Sequence, residues 1–113
     1  MRAAGMPDGE YYLGSSAGGV SMVVDEGVAW LKDRSAFAGS VSLMNKMVGN
    51  MVKIAGASVP EAVMMASLTP SRMIGMEAQL GSIEKGKMAD IVLFDDDFKV
   101  QKTIVGGKLI YSL

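Results

Sequence analysis

The hydrophobic pattern of the chain changes twice along its length. From Tyr11 to Leu31 the apolar residues fall in short runs: Tyr11-Tyr12-Leu13, Val20 to Val24 and Val28 to Leu31. Small residues from Gly14 to Gly19 separate the first two, and Asp25-Glu26-Gly27 separates the last two. Short apolar runs bounded by turn formers predict strands, so this part reads as a small meander. Its strands are too short to make a stable sheet alone, which suggests a meander projecting from something larger.

The period then becomes helical. Leu43, Met44, Met47, Val48, Met51 and Ile54 recur at three and four residues, with Ser40 or Ser42 as a candidate cap and Gly56 as a stop. Ser58-Val59-Pro60-Glu61 has the spacing of a capping box and opens a second helix through Val63, Met64 and Leu68. Thr69-Pro70, a hydroxyl followed by proline, predicts the cap of a short third helix ending at Gly75. Gly81 to Lys87 marks the return to strands. Asp90 to Phe94 is a continuous apolar run of the buried-strand kind, broken by Asp95-Asp96-Asp97. Val100 to Val105 and Lys108 to Leu113 flank Gly106-Gly107, a pair suited to a two-residue hairpin turn.

Composition limits the chemistry. The 113 residues contain no Cys, which removes disulfides and thiolate nucleophiles, and no His, which removes the commonest metal ligand and neutral-pH base. A self-contained hydrolase of this make-up is not expected, and no catalytic or metal-binding residue is assigned within the chain. Eleven Lys and Arg against twelve Asp and Glu give a net charge of −1 without a basic block, so neither nucleic acid nor an anionic membrane is an expected partner. No apolar run approaches the roughly 20 residues of a membrane span. The start lacks the apolar core of a secretion signal, and a cytoplasmic location is expected. The eleven Met are expected to fill gaps in helix cores.

Candidate chemical groups have plain structural alternatives. Ser40 reads as a helix cap rather than a nucleophile, because no His is present to activate it. Consecutive Asp95-Asp96-Asp97 reads as a solvated turn rather than a cation site, and Lys85 with Lys87 as a solvated turn rather than a phosphate loop. Tyr11 and Tyr12 either pack at a site or fill a hairpin face. Spacing alone makes Phe37, Ala38 and Gly39 the approach to a capped helix.

The run Gly81-Ser82-Ile83-Glu84-Lys85-Gly86-Lys87-Met88-Ala89-Asp90-Ile91-Val92-Leu93-Phe94-Asp95 resembles the closing segment of the amidohydrolase superfamily. In those enzymes it leaves the last helix of a metal-dependent (β/α)8 barrel and enters a β-sandwich built from both chain ends. Within it, Gly86 supplies a turn in which Asp90 can hydrogen-bond. Upstream, Met1-Arg2-Ala3-Ala4-Gly5-Met6-Pro7-Asp8-Gly9-Glu10-Tyr11-Tyr12-Leu13-Gly14, Phe37-Ala38-Gly39-Ser40, and Glu61-Ala62 with Met64 and Ala66-Ser67-Leu68-Thr69-Pro70-Ser71-Arg72 are similar in order to the N-acetylglucosamine-6-phosphate deacetylase family.

The resemblance covers essentially the whole chain and implies an α/β fold: residues 1–80 as the end of the barrel, with its eighth helix and those that follow, and residues 81–113 as the closing strands of the sandwich. It implies a hydrolase that removes acetyl from N-acetylglucosamine 6-phosphate with a divalent metal ion. The family's catalytic Asp directly precedes the stretch resembling Met1-Arg2-Ala3, and its metal ligands lie earlier still. The segment alone is therefore expected to be inactive and to bind no metal. Partners implied are the amino-sugar phosphate, the remainder of the barrel and further copies of the enzyme. The resemblance makes Phe37, Ala38 and Gly39 substrate contacts, since the matching turn lies against the bound amino sugar. The family usually has Gly-Thr or a similar pair before a Leu-Ala-Gly-Ser turn, whereas this chain has Arg34-Ser35-Ala36-Phe37-Ala38-Gly39-Ser40, and a bulkier Phe37 narrows the pocket. Alternatives are an amidohydrolase acting on a different amide and a stand-alone, non-catalytic assembly module.

Overall fold

A computed structural model describes residues 4–14 and 18–113. Met1-Arg2-Ala3 and the centre of the turn expected between Gly14 and Gly19 lie outside them. The chain divides into two compact units, Met1–Leu43 and Met44–Leu113.

The first unit is the expected meander. Strands β1 (Gly9–Leu13), β2 (Val20–Asp25) and β3 (Val28–Leu31) pair antiparallel in the order β1-β2-β3. Glu26 and Gly27, with φ of 48° and 75°, turn β2 into β3, the left-handed pair that a two-residue hairpin requires. Register sets Tyr11 opposite Met22 and Met22 opposite Leu31, so one row of side chains crosses the sheet on one face. Met22, at 0% exposure, forms a small core there with Val24, Ala29 and Ala38, flanked by Tyr11, Leu13, Leu31 and Val41. Tyr11 keeps its hydroxyl satisfied by donating to the Pro7 carbonyl at 2.8 Å, while Tyr12 stays half-exposed. Glu10, Val23 and Trp30 align across the sheet on the other face.

The second unit carries three helices and three strands: α1 (Met44–Lys53), α2 (Val59–Ala66), α3 (Leu68–Met73), β4 (Ile91–Phe94), β5 (Val100–Val105) and β6 (Lys108–Ser112), with sheet order β4-β5-β6, all antiparallel. Ser40 does not cap α1 directly; its hydroxyl accepts from the Ser42 N–H at 3.0 Å, closing a turn just before the helix. The capping box of α2 is present: the Ser58 hydroxyl accepts from the Glu61 N–H and the Glu61 carboxylate accepts from the Ser58 N–H at 2.8 Å. For α3 the expected cap at Thr69 is corrected. Ser67 occupies the N-cap position without a side-chain cap bond, because its hydroxyl donates back to the Val63 carbonyl at 2.7 Å and Thr69 falls inside the helix.

The core of this unit joins helices to strands. Val48 of α1, Ala62 of α2 and Phe98 are buried together, with Met51, Val63, Ala66 and Phe94 against them. Phe98 sits in the turn between β4 and β5 with φ 62°. Its ring stacks on Phe94 at 5.4 Å, and Asn45 donates its side-chain amide to the Phe98 carbonyl at 2.9 Å. Gly49 makes this approach possible, since a Cβ there would stand 3.1 Å from the Phe98 ring. At the far end, Gly106 and Gly107, at φ 54° and 79°, form the expected hairpin turn. Within the stretch after Gly86, Asp90 bonds only through its backbone, its N–H donating to the Met88 carbonyl at 3.0 Å; its carboxylate instead accepts from the Gly106 N–H at 2.7 Å and ties β4 to that hairpin.

Two packing expectations are also corrected. Val92 and Leu93 of β4 are exposed, because the strand pairs laterally but nothing in this unit covers both its faces. Of the helix residues Met51 packs against the core as expected, but Met44, Met47, Met64, Met65 and Met73 are exposed, and the fully buried Met among the described residues is Met22 of the meander.

Candidate functional site

The segment that leaves β3 reverses at once. The Arg34 N–H donates to the Leu31 carbonyl at 2.8 Å, and the Leu31 N–H donates to the Ala36 carbonyl at 2.9 Å. Arg34 takes a left-handed backbone, φ 56°, at the apex. Asp33 holds the turn by accepting from the Ser35 hydroxyl at 2.7 Å and from the Ser35 N–H at 3.0 Å. Those bonds, the hydroxyl foremost, lower its pKa below the ordinary aspartate value. The chain then runs back along β3, where Phe37 pairs with Trp30 in an antiparallel bridge and the Ala38 N–H donates to the Ala29 carbonyl at 2.7 Å.

This pairing sorts the three expected contact residues. Phe37 projects outward and is 70% exposed; Ala38 turns its methyl into the meander core, with its N–H already engaged; Gly39, at φ 110°, is exposed and uses a backbone angle that side chains disfavour. Of the three, the exposed groups are therefore the Phe37 ring and the Gly39 backbone. Sequence reasoning missed two neighbours. The Trp30 ring lies 4.6 Å from that of Phe37 at a 34° tilt, and the Arg34 guanidinium stands 5.9 Å from the Trp30 ring while pairing with Asp25. Trp30 is the sole Trp of the chain, which was a usable signal. The backbone reversal that brings Arg34 to it was not.

The other polar clusters are structural. Asp95 accepts from the N–H groups of Asp97 and Lys99, both at 3.0 Å, and from the Gln101 amide at 2.9 Å; the Lys99 bond foremost lowers its pKa below the ordinary value. Asp97 pairs with Lys53 at 3.0 Å. Lys87 corrects the solvated-turn expectation. Its side chain is only 12% exposed, because its ammonium donates to the Ser82 hydroxyl and pairs with Glu84 at 3.3 Å. The Ser82 hydroxyl donates in turn to Glu84, whose pKa it lowers, with Lys87 adding to the effect.

Among the described residues no three acidic, His or Cys side chains converge as metal ligands. These residues do not fit a catalytic metal centre. No helix among them is long and apolar enough to cross a membrane.

Comparisons with known proteins bear on the whole chain. Residues 14–110 match the model of the amidohydrolase family. The N-acetylglucosamine-6-phosphate deacetylase of Vibrio furnissii is 37% identical over 99% of this chain and 27% of its own length. The N-acetylgalactosamine-6-phosphate deacetylase of Escherichia coli O157:H7 is 39% identical over 96% of this chain and 28% of its own length. The crystal structure of the N-acetylglucosamine-6-phosphate deacetylase from Pasteurella multocida superimposes with a TM-score of 0.84 at 30% identity, covering 95% of this chain and 27% of that one. The chain thus spans little more than a quarter of the length of these relatives, and its meander, three helices and terminal hairpin have the architecture of one part of their fold. By its match over residues 14–110, the chain belongs to the amidohydrolase family.

Proposed function

We propose that this chain is part of a cytoplasmic, metal-dependent hydrolase that cleaves the acetamide of N-acetylglucosamine 6-phosphate with water, releasing acetate and glucosamine 6-phosphate. The observation that carries this reading is the similarity to the Vibrio furnissii deacetylase, which extends over 99% of the chain. Residues 1–80 then complete the barrel, residues 81–113 close the β-sandwich, and the whole enzyme assembles from several copies. The chain contributes one wall of the sugar pocket through Phe37, Ala38 and Gly39. Phe37 offers an apolar face to the pyranose, the Gly39 backbone permits close approach, and Ala38 holds the turn to the meander.

In this reading the metal ligands and the proton acceptor belong to the rest of the barrel, which the lack of a converging ligand group among the described residues supports. The 113 residues alone therefore release no acetate. The similarity to the Escherichia coli O157:H7 relative supports a second reading, in which the preferred substrate is the galacto epimer. Acetate release by the whole, metal-loaded enzyme, followed with both N-acetylamino-sugar 6-phosphates and with a cyclic amide, decides between them. Turnover of the gluco compound at the highest kcat/KM is the expected result. Turnover of the cyclic amide alone would exclude both sugar readings.

A further inference from the structure

We propose that Trp30 is a positioning residue for substrate binding: it braces Phe37, so that the exposed phenyl ring forms a fixed stacking platform for the pyranose ring. The proposal rests on the reading of Phe37 as a sugar contact and adds what makes that contact effective. Phe37 is 70% exposed and sits on a segment joined to β3 by an isolated bridge. A phenyl group in that setting would otherwise exchange rotamers freely. The Trp30 ring at 4.6 Å removes that freedom from one side and leaves the other side of Phe37 open.

Trp30 is itself restrained. The Arg34 guanidinium stands over its ring at 5.9 Å and is tethered to Asp25 at the end of β2. The left-handed backbone at Arg34 folds that side chain back to this position. Asp25, Arg34, Trp30 and Phe37 thus form a chain of contacts from the sheet to the exposed ring. A pyranose presents a face of C–H bonds, and a flat aromatic surface already held in place binds such a face without first being ordered. The benefit falls on sugar binding and leaves amide cleavage alone, so it belongs in KM rather than kcat.

The test uses the whole, metal-loaded enzyme and N-acetylglucosamine 6-phosphate. Phe37→Ala and Trp30→Leu are each expected to raise KM about three- to tenfold with kcat little changed, the double variant to be no worse than the poorer single one, and Trp30→Phe to recover most of the loss. If Phe37→Ala leaves KM unchanged, the sugar contact at Phe37 is itself wrong. If Phe37→Ala raises KM while Trp30→Leu does not, or adds its effect independently, the contact stands and the bracing role falls. A second readout covers the case in which Trp30→Leu fails to fold. Binding of the product glucosamine 6-phosphate should change the intrinsic tryptophan fluorescence of the wild type, and Trp30→Phe and Phe37→Ala should each abolish the Trp30 component. Persistence of that component in Phe37→Ala overturns the coupling.

Discussion

At the scale of single residues, Phe98 weighs two opposed effects. Its left-handed backbone at φ 62° costs about 1–2 kcal/mol for a residue with a Cβ, whereas burying its ring is worth about 3–5 kcal/mol against truncation. Burial wins, which is why a Phe occupies a position whose backbone suits glycine. Phe98→Ala is expected to lower unfolding free energy by about 3–5 kcal/mol, and Phe98→Gly by about 1 kcal/mol less, as measured by denaturant titration. Equal losses would show that the backbone angle carries no cost. Gly81 has no such choice. At φ 88°, a Cβ there would stand 2.5 Å from the Ser71 hydroxyl and 2.8 Å from the Leu68 Cα, so Gly81→Ala is expected to cost about 2–5 kcal/mol in the same measurement. Neither residue announces this role in sequence. Gly81 reads only as the end of the helical region, because its contact with α3 depends on where the chain returns in space. Phe98 reads as a residue after three aspartates, because its side chain is buried by a helix some 50 positions earlier, through the Asn45 amide bond and the space left at Gly49.

At the scale of elements, local chemistry was legible where both partners are close in sequence. The Ser58–Glu61 box and the Gly106-Gly107 turn follow directly from residue type and spacing. Thr69 misled because Ser67, two residues earlier, reached the N-cap position first. The faces of β4 and the exposed methionines were not legible, since periodicity reports which residues are apolar but not what covers them. The capping box also carries a pH signature. The Ser58 hydroxyl foremost, with the Ser58 N–H, lowers the Glu61 pKa below the ordinary glutamate value, and the Lys99 N–H does the same for Asp95. A depressed carboxylate pKa contributes stability in full above its unfolded value, and that contribution is lost as pH falls through the folded value. Stability is therefore expected to hold down to about pH 4.5 and to decline below it. Ser58→Ala should lose about 1 kcal/mol at neutral pH and flatten part of that acid decline. An unchanged acid profile in Ser58→Ala would remove Glu61 from the explanation.

At the scale of the whole molecule, many large apolar side chains are exposed. Ile54, Met73 and Ile74 at the ends of helices, Ile83 in the following loop, and Leu109, Ile110 and Leu113 at the terminal strand are largely exposed, so these surfaces want a cover. The 113-residue polypeptide by itself is accordingly expected to self-associate at micromolar concentration in sedimentation analysis, and a clean monomer would contradict the need for a larger partner surface. The family was legible from the Gly81 to Asp95 run, and the match over residues 14–110 bears it out. Which face of the Phe37 turn meets solvent was not, because it is decided by the bridge to Trp30. The most direct test of the pocket-wall assignment is a crystal structure of the whole enzyme with N-acetylglucosamine 6-phosphate bound. The sugar ring is expected within about 4 Å of the Phe37 ring and the Gly39 backbone. A sugar seated elsewhere, with this turn facing solvent, would contradict the account.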